Sequence, residues 1–203
     1  EFIINKNHNL WGGKKLYDLY KKAHTPWKWH HKIFEVARKL DLICFSSPFD
    51  ETAVDFLEDL NVPLYKVASF EITHIPLIKR IAKTKKPVIM STGMATKEEI
   101  KNAINTLRNN GCKNYALLKC TSTYPANPKN SNILTIPDMK KKYKCEIGLS
   151  DHTPGIGAAV GSVALGATII EKHITLDKKN GAVDSKFSLE PHEFKILNDE
   201  IYK

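Results

Sequence analysis

The stretches Gly148-Leu149-Ser150-Asp151-His152 and Ile170-Glu171-Lys172-His173 each end an apolar run of strand character with a histidine. The two histidines are 21 residues apart, and a Gly/Ala-rich segment of helical pattern lies between them. In a parallel sheet this spacing is one strand-helix-strand unit, so both imidazoles are expected at the C-terminal edge of neighbouring strands. The two stretches therefore predict a parallel α/β fold with a metal site between His152 and His173.

The alternation of side chains along these two strands favours a barrel. Successive strand residues face opposite sides, so His152 shares a face with Ser150 and His173 shares a face with Glu171. A polar face opposite an apolar one is not typical of a strand buried between two layers of helices. It is typical of a barrel strand whose inner face, near the mouth, forms a functional site.

Six segments of strand character alternate with helical patterns along the chain: 42–47, 64–69, 87–92, 115–122, 145–152 and 168–175. Asp50-Glu51 begins one of the predicted helices, and Thr96-Lys97-Glu98-Glu99 begins another with a capping-box pattern. Each ends in small polar or ionisable residues, as in a barrel whose chemistry gathers at the C-terminal ends of its strands. A dinucleotide-binding sheet would need a glycine-rich phosphate turn after its first strand, and the sequence has none. The pattern predicts a (β/α)₈ TIM barrel with about six of its eight units present.

The composition indicates one large domain, or most of one. The chain has 203 residues, of which 42% are hydrophobic. It contains no apolar run long enough to span a membrane and opens with no signal segment, so we expect a cytoplasmic protein without a membrane partner. The cysteines follow neither zinc-site spacing nor a disulfide framework and are expected to be reduced: Cys44, Cys112, Cys120 and Cys145.

The formal charge of +9 raises the alternative of a nucleic-acid partner. The lysines, however, are scattered in pairs over predicted helix faces, and the one dense run, Lys140 to Lys144, is interrupted by Tyr143. This distribution favours a solvated surface over a nucleic-acid site. Part of the excess charge can also attract a small anionic substrate.

Five ordered motifs resemble the sialic acid synthase family, and together they cover most of the chain: 65–71, 88–95, 119–125, 148–152 and 171–173. Segments 16–30 and 183–190 resemble the pseudaminic acid synthase branch. The resemblance implies condensation of phosphoenolpyruvate with an open-chain N-acetylated amino sugar, which gives a nonulosonic acid and phosphate. The branch implies 2,4-diacetamido-2,4,6-trideoxy-L-altrose as the sugar, with N-acetylneuraminate or legionaminate synthase as alternatives.

The resemblance also implies a role for each matching residue. His152 and His173 would hold a divalent metal, usually Mn²⁺, with Mg²⁺ or Co²⁺ also possible, and two protein ligands leave positions open for substrate oxygen. Asp184 would bind the sugar, and Glu171 would be a catalytic proton carrier or a partner of the metal ligands. Lys119 is a weaker candidate. The residues implied to bind phosphoenolpyruvate are Lys66, Ser69, Ser91, Ser150, Ser47, Ser122 and Tyr124.

Structural interpretations of the same residues stay open at this point. Ser69, Ser91 and Ser150 each precede a predicted helix, where serine is a common cap. A single histidine at a strand end is more often structural than a metal ligand. Lys66 is harder to explain in this way, because a lysine within an apolar strand is costly unless it meets an anion or reaches water.

The family pattern also extends beyond this chain. It begins with two further strands and ends with a small antifreeze-like SAF domain, so residues 1–203 are interpreted as a partial TIM-barrel synthase domain. In relatives that small domain reaches the partner subunit's site, which implies a homodimer for the full-length protein. We expect little synthase activity from residues 1–203 alone. A non-catalytic phosphate-binding barrel fragment and a metal-dependent aldolase remain alternatives.

Overall fold

The structure is a computed structural model that describes residues 2–7 and 11–203. The chain divides into two compact units, Glu1–Ile43 and Cys44–Lys203. In the first unit, helices α1 (Leu16–Ala23) and α2 (Trp27–Lys39) follow an antiparallel bridge between Ile3 and Lys15. In α2 the buried residues His30 and Phe34 are four positions apart, as on one face of a helix, while α1 buries Leu19 and carries two lysines in its last turn.

The second unit contains a five-stranded parallel sheet in sequential order. Its strands are β1 (Tyr65–Val67), β2 (Val88–Ser91), β3 (Tyr115–Cys120), β4 (Glu146–Asp151) and β5 (Ile170–Lys172). Helices flank and connect them: α3 (Glu51–Asp59), α4 (Ile75–Ala82), α5 (Lys97–Asn109), α6 (Thr135–Tyr143), α7 (Gly157–Ala164) and α8 (Pro191–Ile201). Parallel neighbours joined by helical crossovers are the repeating unit of a (β/α) barrel, so the predicted α/β fold and incomplete barrel are confirmed.

The prediction of a sixth full strand at 42–47 is wrong. The structure retains only one parallel bridge there, between Ser46 and Tyr65. Leu42, Ile43 and Phe45 are exposed, so no packing of their side chains stabilises a longer ladder. The other predicted strands exist but are shorter, because their last polar residues lie in the loops that follow.

Two helix starts predicted from sequence are present in the structure. The Thr96 hydroxyl accepts a hydrogen bond from the Glu99 N–H at 3.2 Å, and the Glu99 carboxylate accepts one from the Thr96 N–H at 2.7 Å. This reciprocal capping box opens α5. The Asp50 carboxylate caps α3 by accepting from the Ala53 N–H at 2.9 Å.

The two faces of the sheet have different chemistry. Val67, Met90, Leu117 and Ile147 are paired in register across four strands, and all are fully buried. The Tyr65 hydroxyl, on the same face, reaches the Val54 carbonyl of α3, so this face carries the helices. The opposite face is the one that Lys66, Ser91, Ser150 and Glu171 share.

None of the helices within residues 2–7 and 11–203 is both long enough and apolar enough to cross a bilayer.

Candidate active site

The strand register brings polar residues of β3, β4 and β5 into one row near their C-terminal ends. Cys120 pairs with Ser150, and Ser150 pairs with Glu171. The Ser150 hydroxyl donates to Glu171 Oε1 at 2.6 Å. The side-chain alternation predicted for β4 and β5 therefore brings Ser150 and Glu171 into direct contact.

Lys66 joins this row from β1. Its ammonium group donates to Ser91 Oγ at 2.8 Å and to the Val67 carbonyl at 3.2 Å, and it lies 3.3 Å from Glu171 Oε2. Lys66 is only 6% exposed. A buried ammonium needs such partners, since an unpaired charge in this environment would be strongly unfavourable. The contacts of Lys66 therefore link β1, β2 and β5 in one charged network.

The serines in this region do not cap helices. Ser91 accepts from Lys66, Ser150 donates to Glu171, and Ser69 Oγ accepts from the Gly93 N–H at 3.1 Å. Helix α5, which follows Ser91, is capped by Thr96 instead, and α7 has no side-chain cap. The capping interpretation of the serines is wrong.

Gly93 allows three polar groups to converge behind the Lys66 network. A Cβ at this position would lie 2.1 Å from Ser122 Oγ, 2.9 Å from Ser69 Oγ and 3.2 Å from Cys120 Sγ. Any side chain here would displace the Ser122 hydroxyl, so this close approach requires glycine. Sequence reasoning missed this role, because Gly93 carries no chemistry of its own.

The two histidines meet beside the Lys66 network. The ring centroids of His152 and His173 are 5.2 Å apart, and the planes are tilted by 59°. Phe187 lies edge-on to His173 at 5.1 Å, and Tyr124 lies 4.4 Å from His152. These aromatic contacts hold both imidazoles in place and shield one side of the pair from water.

One ring nitrogen of each histidine, Nδ1, has a hydrogen-bond partner in the protein. His152 Nδ1 lies 3.2 Å from the Thr121 carbonyl, which can only accept a hydrogen bond, so Nδ1 is the protonated nitrogen. His173 Nδ1 lies 3.3 Å from Asp184 Oδ2. Both contacts favour a proton on Nδ1, so Nε2 is the nitrogen available to a ligand.

This donor set suits a borderline divalent cation with open coordination positions. No group of three or more His, Cys, Asp or Glu side chains that could hold a metal occurs among residues 2–7 and 11–203. The structure places the two imidazoles side by side. That they hold a metal, with substrate or water as the remaining ligands, stays a prediction. Asp184, predicted to bind the sugar, contacts His173 in the structure and is placed to orient that imidazole.

The other sequence candidates take different positions. Ser122 Oγ lies 3.6 Å from Cys120 Sγ, within the cluster around Gly93. Ser47 is half-buried just after the Ser46 bridge, and the structure shows no hydrogen bond from it to the Lys66 network. Lys119 donates to Thr121 Oγ1 at 2.6 Å and lies on the helix-facing side of β3, and burial lowers its pKa.

Two ionisable groups near the site were not predicted from sequence. Burial raises the pKa of the Cys120 thiol, but hydrogen bonds from His152 and Ser69 outweigh it and bring the pKa to about 7. Burial raises the pKa of Glu71, whose Oε2 is buried without a hydrogen-bond partner among the described residues. Glu71 lies with Ser69 in a short 3₁₀ turn shortly after β1. Its position after a strand end is the only sequence signal that could have placed it near the site.

Comparisons with known proteins point to one family. The model of the NeuB family matches residues 2–203. A pseudaminic acid synthase of Campylobacter jejuni is 45% identical over 201 residues, which cover 99% of this chain and 58% of the relative. An N,N'-diacetyllegionaminic acid synthase of the same organism is 43% identical over 185 residues, which cover 90% of this chain and 55% of the relative.

Solved structures support the same assignment. The N-acetylneuraminic acid synthetase of Leptospira borgpetersenii, in complex with citrate, superposes with a TM-score of 0.88 at 34% identity, covering 91% of this chain and 65% of that one. A DAHP synthase of Thermotoga maritima shares the fold, with a TM-score of 0.77 at 19% identity. The chain spans less than 60% of the length of the curated relatives it matches. With the family model matched from residue 2 to residue 203, this chain belongs to the NeuB family.

Proposed function

We propose that the full-length protein condenses phosphoenolpyruvate with an acetamido sugar to give a nonulosonic acid and phosphate. The observation that carries this proposal is the pairing of two features on one sheet face. A buried lysine with serine hydroxyls lies beside two imidazoles whose rings are 5.2 Å apart. We call the region around Lys66 and its serines the anion cradle. An anion cradle next to a proposed cation site at His152 and His173 suits a reaction between an enol phosphate and an aldehyde.

The cradle for phosphoenolpyruvate is built around Lys66. Its ammonium supplies positive charge, and Ser91, which accepts from Lys66, keeps its own O–H for the substrate. Ser150 borders the same region with its hydroxyl turned to Glu171. Ser69 and Ser122 border the same region through the close approach at Gly93. Charge-assisted hydrogen bonds of this kind are the strong ones for phosphate and carboxylate groups.

His152 and His173 are the proposed ligands of a divalent cation, Mn²⁺ by resemblance to the family, with Mg²⁺ or Co²⁺ as alternatives. When bound, the cation polarises the aldehyde oxygen of the sugar as a Lewis acid. The protein's part is to orient both imidazoles, which Thr121 and Asp184 do through the Nδ1 atoms. Tyr124 packs on His152 and thereby keeps water from one side of the pair.

Glu171 is the proposed proton carrier of the site. Its Oε1 accepts from Ser150, and its Oε2 faces the Lys66 ammonium. A phosphate bound at Lys66 would therefore lie next to a carboxylate that can take up or return a proton without a rearrangement of the strand. Asp184 is proposed to hold His173 and to accept hydrogen bonds from sugar hydroxyls.

The sugar is proposed to be 2,4-diacetamido-2,4,6-trideoxy-L-altrose, the substrate expected of a pseudaminic acid synthase. Support comes from 45% identity to the C. jejuni pseudaminic acid synthase. The legionaminic acid synthase of that organism is 43% identical, so the difference between them is small. We further propose that the full-length protein is a homodimer, which sedimentation velocity would test.

The proposed function is tested by phosphate release in the full-length protein supplied with phosphoenolpyruvate and Mn²⁺. We expect turnover with the altrose sugar and much slower turnover with N-acetylmannosamine. Turnover with neither sugar, while phosphoenolpyruvate still binds, would favour a non-catalytic phosphate-binding barrel. Turnover with pyruvate in place of phosphoenolpyruvate would identify an aldolase and contradict the proposal.

A further inference from the structure

A buried ion pair joins β4 to β5 directly behind the two histidines. Lys172 Nζ lies 2.7 Å from Asp151 Oδ2, and the two side chains are 1% and 2% exposed. Asp151 immediately precedes His152, and Lys172 immediately precedes His173. Since alternate residues face opposite sides of a strand, the ion pair lies on the reverse face of the positions that carry the imidazoles.

Further hydrogen bonds extend the pair into the loop that carries His152. The Thr153 N–H donates to Asp151 Oδ1 at 2.9 Å, and Lys172 Nζ also donates to the Thr153 carbonyl. One carboxylate and one ammonium thus fix the backbone on both sides of His152 and tie it to the residue before His173. These contacts use both oxygens of Asp151.

The burial of this pair points to a geometric role. Removing two charges from water is costly, and a well-packed apolar pair of the same size is often no less stable. A pair in this position instead fixes the register and separation of two strand ends to within a hydrogen-bond length. The ion pair of Glu58 with Lys86 is more exposed, and it joins α3 to the segment before β2 rather than the two strands that precede the histidines.

We propose that Asp151 and Lys172 are positioning residues that set the separation of the two imidazoles and so determine the affinity for the divalent cation. The inference rests on the proposed function, because it takes His152 and His173 as the metal ligands. Neither residue touches the substrates or the metal; both act through the backbone that carries the ligands. Partners behind metal ligands typically change metal affinity by about 10- to 100-fold.

The test compares Mn²⁺ binding in the full-length protein with that of the double variant Asp151→Asn/Lys172→Met. The variant removes both charges together, so no unpaired charge stays buried, and Asn keeps an oxygen for the Thr153 N–H. We expect the Mn²⁺ dissociation constant, measured by electron paramagnetic resonance, to rise about tenfold. A dissociation constant within twofold of the wild type would overturn the inference.

A matched control is the double variant Glu58→Gln/Lys86→Met. It also neutralises an ion pair, and Gln keeps an acceptor for the Tyr65 hydroxyl, which donates to Glu58 at 2.7 Å. This pair does not contact β4 or β5, so Mn²⁺ affinity should stay within twofold of the wild type. An equal loss of affinity in both double variants would mean that general destabilisation is the cause, against the inference.

A second readout separates failure of the inference from failure of the proposed function. Nuclear Overhauser effects between the rings of His152 and His173 report their separation without any metal. If the wild type binds no Mn²⁺, the proposed function fails, and weaker ring contacts in the Asp151→Asn/Lys172→Met variant still support the positioning role. Unchanged ring contacts overturn it. Should that variant not fold, Lys172→Arg replaces it. The larger guanidinium keeps Asp151 paired but does not fit the fully buried position of Lys172 without moving the strands, so the same changes are expected and unchanged ring contacts overturn the inference.

Discussion

Lys66 is the residue on which the anion cradle depends most. Its ammonium is buried and held by Ser91, the Val67 carbonyl and Glu171, and it is the cation nearest the proposed phosphate. Replacement by methionine keeps the volume of the side chain and removes the charge. We predict that Lys66→Met raises the KM for phosphoenolpyruvate about 10- to 100-fold, because one charge-assisted hydrogen bond to the substrate is lost. Steady-state phosphate release measures it.

Lys119→Met is the matched control for Lys66→Met. Lys119 is also buried in a strand, but it points to the helix-facing side and donates to Thr121. Its removal should leave the KM for phosphoenolpyruvate within about twofold, since no phosphate contact is lost. If both substitutions raised the KM equally, the position of the Lys66 charge in the cradle would not be the cause of the effect.

Glu71 makes a pH-dependent contribution to stability. Burial raises its pKa above the ordinary 4.5, despite the nearby charges of Lys66 and His74. Between pH 4.5 and the raised pKa, the folded protein binds a proton at Glu71 that the unfolded chain does not, so stability falls as pH rises through this window. We predict that Glu71→Gln is more stable than the wild type at pH 7 and similar at pH 4, measured by urea unfolding.

The exposed Glu98, in the first turn of α5, provides the control. Its carboxylate favours the helix when it is charged, so Glu98→Gln should not stabilise the protein at pH 7. A stability difference between wild type and Glu71→Gln that stays constant from pH 4 to pH 7 would contradict the assignment of the raised pKa to Glu71.

At the residue scale, sequence reasoning located Lys66 and the two histidines and missed residues whose roles depend on distances within the fold. Lys66 was identifiable because a lysine in an apolar strand needs an anionic partner. The histidines were identifiable from strand alternation. Gly93 and the pair of Asp151 with Lys172 were not, because their roles depend on distances between strands that only the folded register sets.

At the scale of single elements, local signals predicted helices better than strands. The capping residues Asp50 and Thr96 marked the starts of α3 and α5, because a cap is a contact within one turn. The apolar run at 42–47 looked like the other strands, yet it forms only one bridge. Strand formation depends on a partner strand and on a buried face, and the local sequence of the segment determines neither.

The contact between β4 and β5 leads to a prediction at Gly148. A Cβ there would lie 2.3 Å from the Ile169 carbonyl oxygen and 2.6 Å from Leu118 Cδ2. We predict that Gly148→Ala forces the two strands apart and destabilises the protein by about 3 kcal/mol, the upper range for overpacking. The midpoint of chemical denaturation measures the loss.

Gly157→Ala is the paired control for Gly148→Ala. Gly157 is the first residue of α7, and a Cβ there would meet no atom within 4 Å. Alanine should therefore be neutral or stabilise the protein by up to about 1 kcal/mol. If the two substitutions lowered stability equally, the tight approach of β5 to Gly148 would not be the cause of the effect.

At the scale of the whole molecule, the sheet has two outer strands, β1 and β5, each with one full neighbour in the described chain. The composition and the alternation of strand and helix patterns were enough to predict a parallel barrel. They did not set its strand boundaries, which depend on packing between distant segments. The family assignment then came from ordered motifs that the fold brings to one edge.

Residues 1–203 span 58% of the C. jejuni pseudaminic acid synthase. We predict that the full-length protein releases phosphate from phosphoenolpyruvate at least 100-fold faster than residues 1–203 alone, because Glu171, the proposed proton carrier, is 38% exposed here and water weakens the interactions of its charge. The comparison uses both proteins at equal concentration with Mn²⁺ and the altrose sugar. Equal turnover would contradict it.

The most direct test of the central claim is a crystal structure of the full-length protein with Mn²⁺ and phosphoenolpyruvate, recorded at the manganese absorption edge. The account predicts one anomalous peak bound by Nε2 of both His152 and His173, with the phosphate or carboxylate of phosphoenolpyruvate hydrogen-bonded to Lys66. A peak bound by neither imidazole, or phosphoenolpyruvate bound away from Lys66, would contradict it.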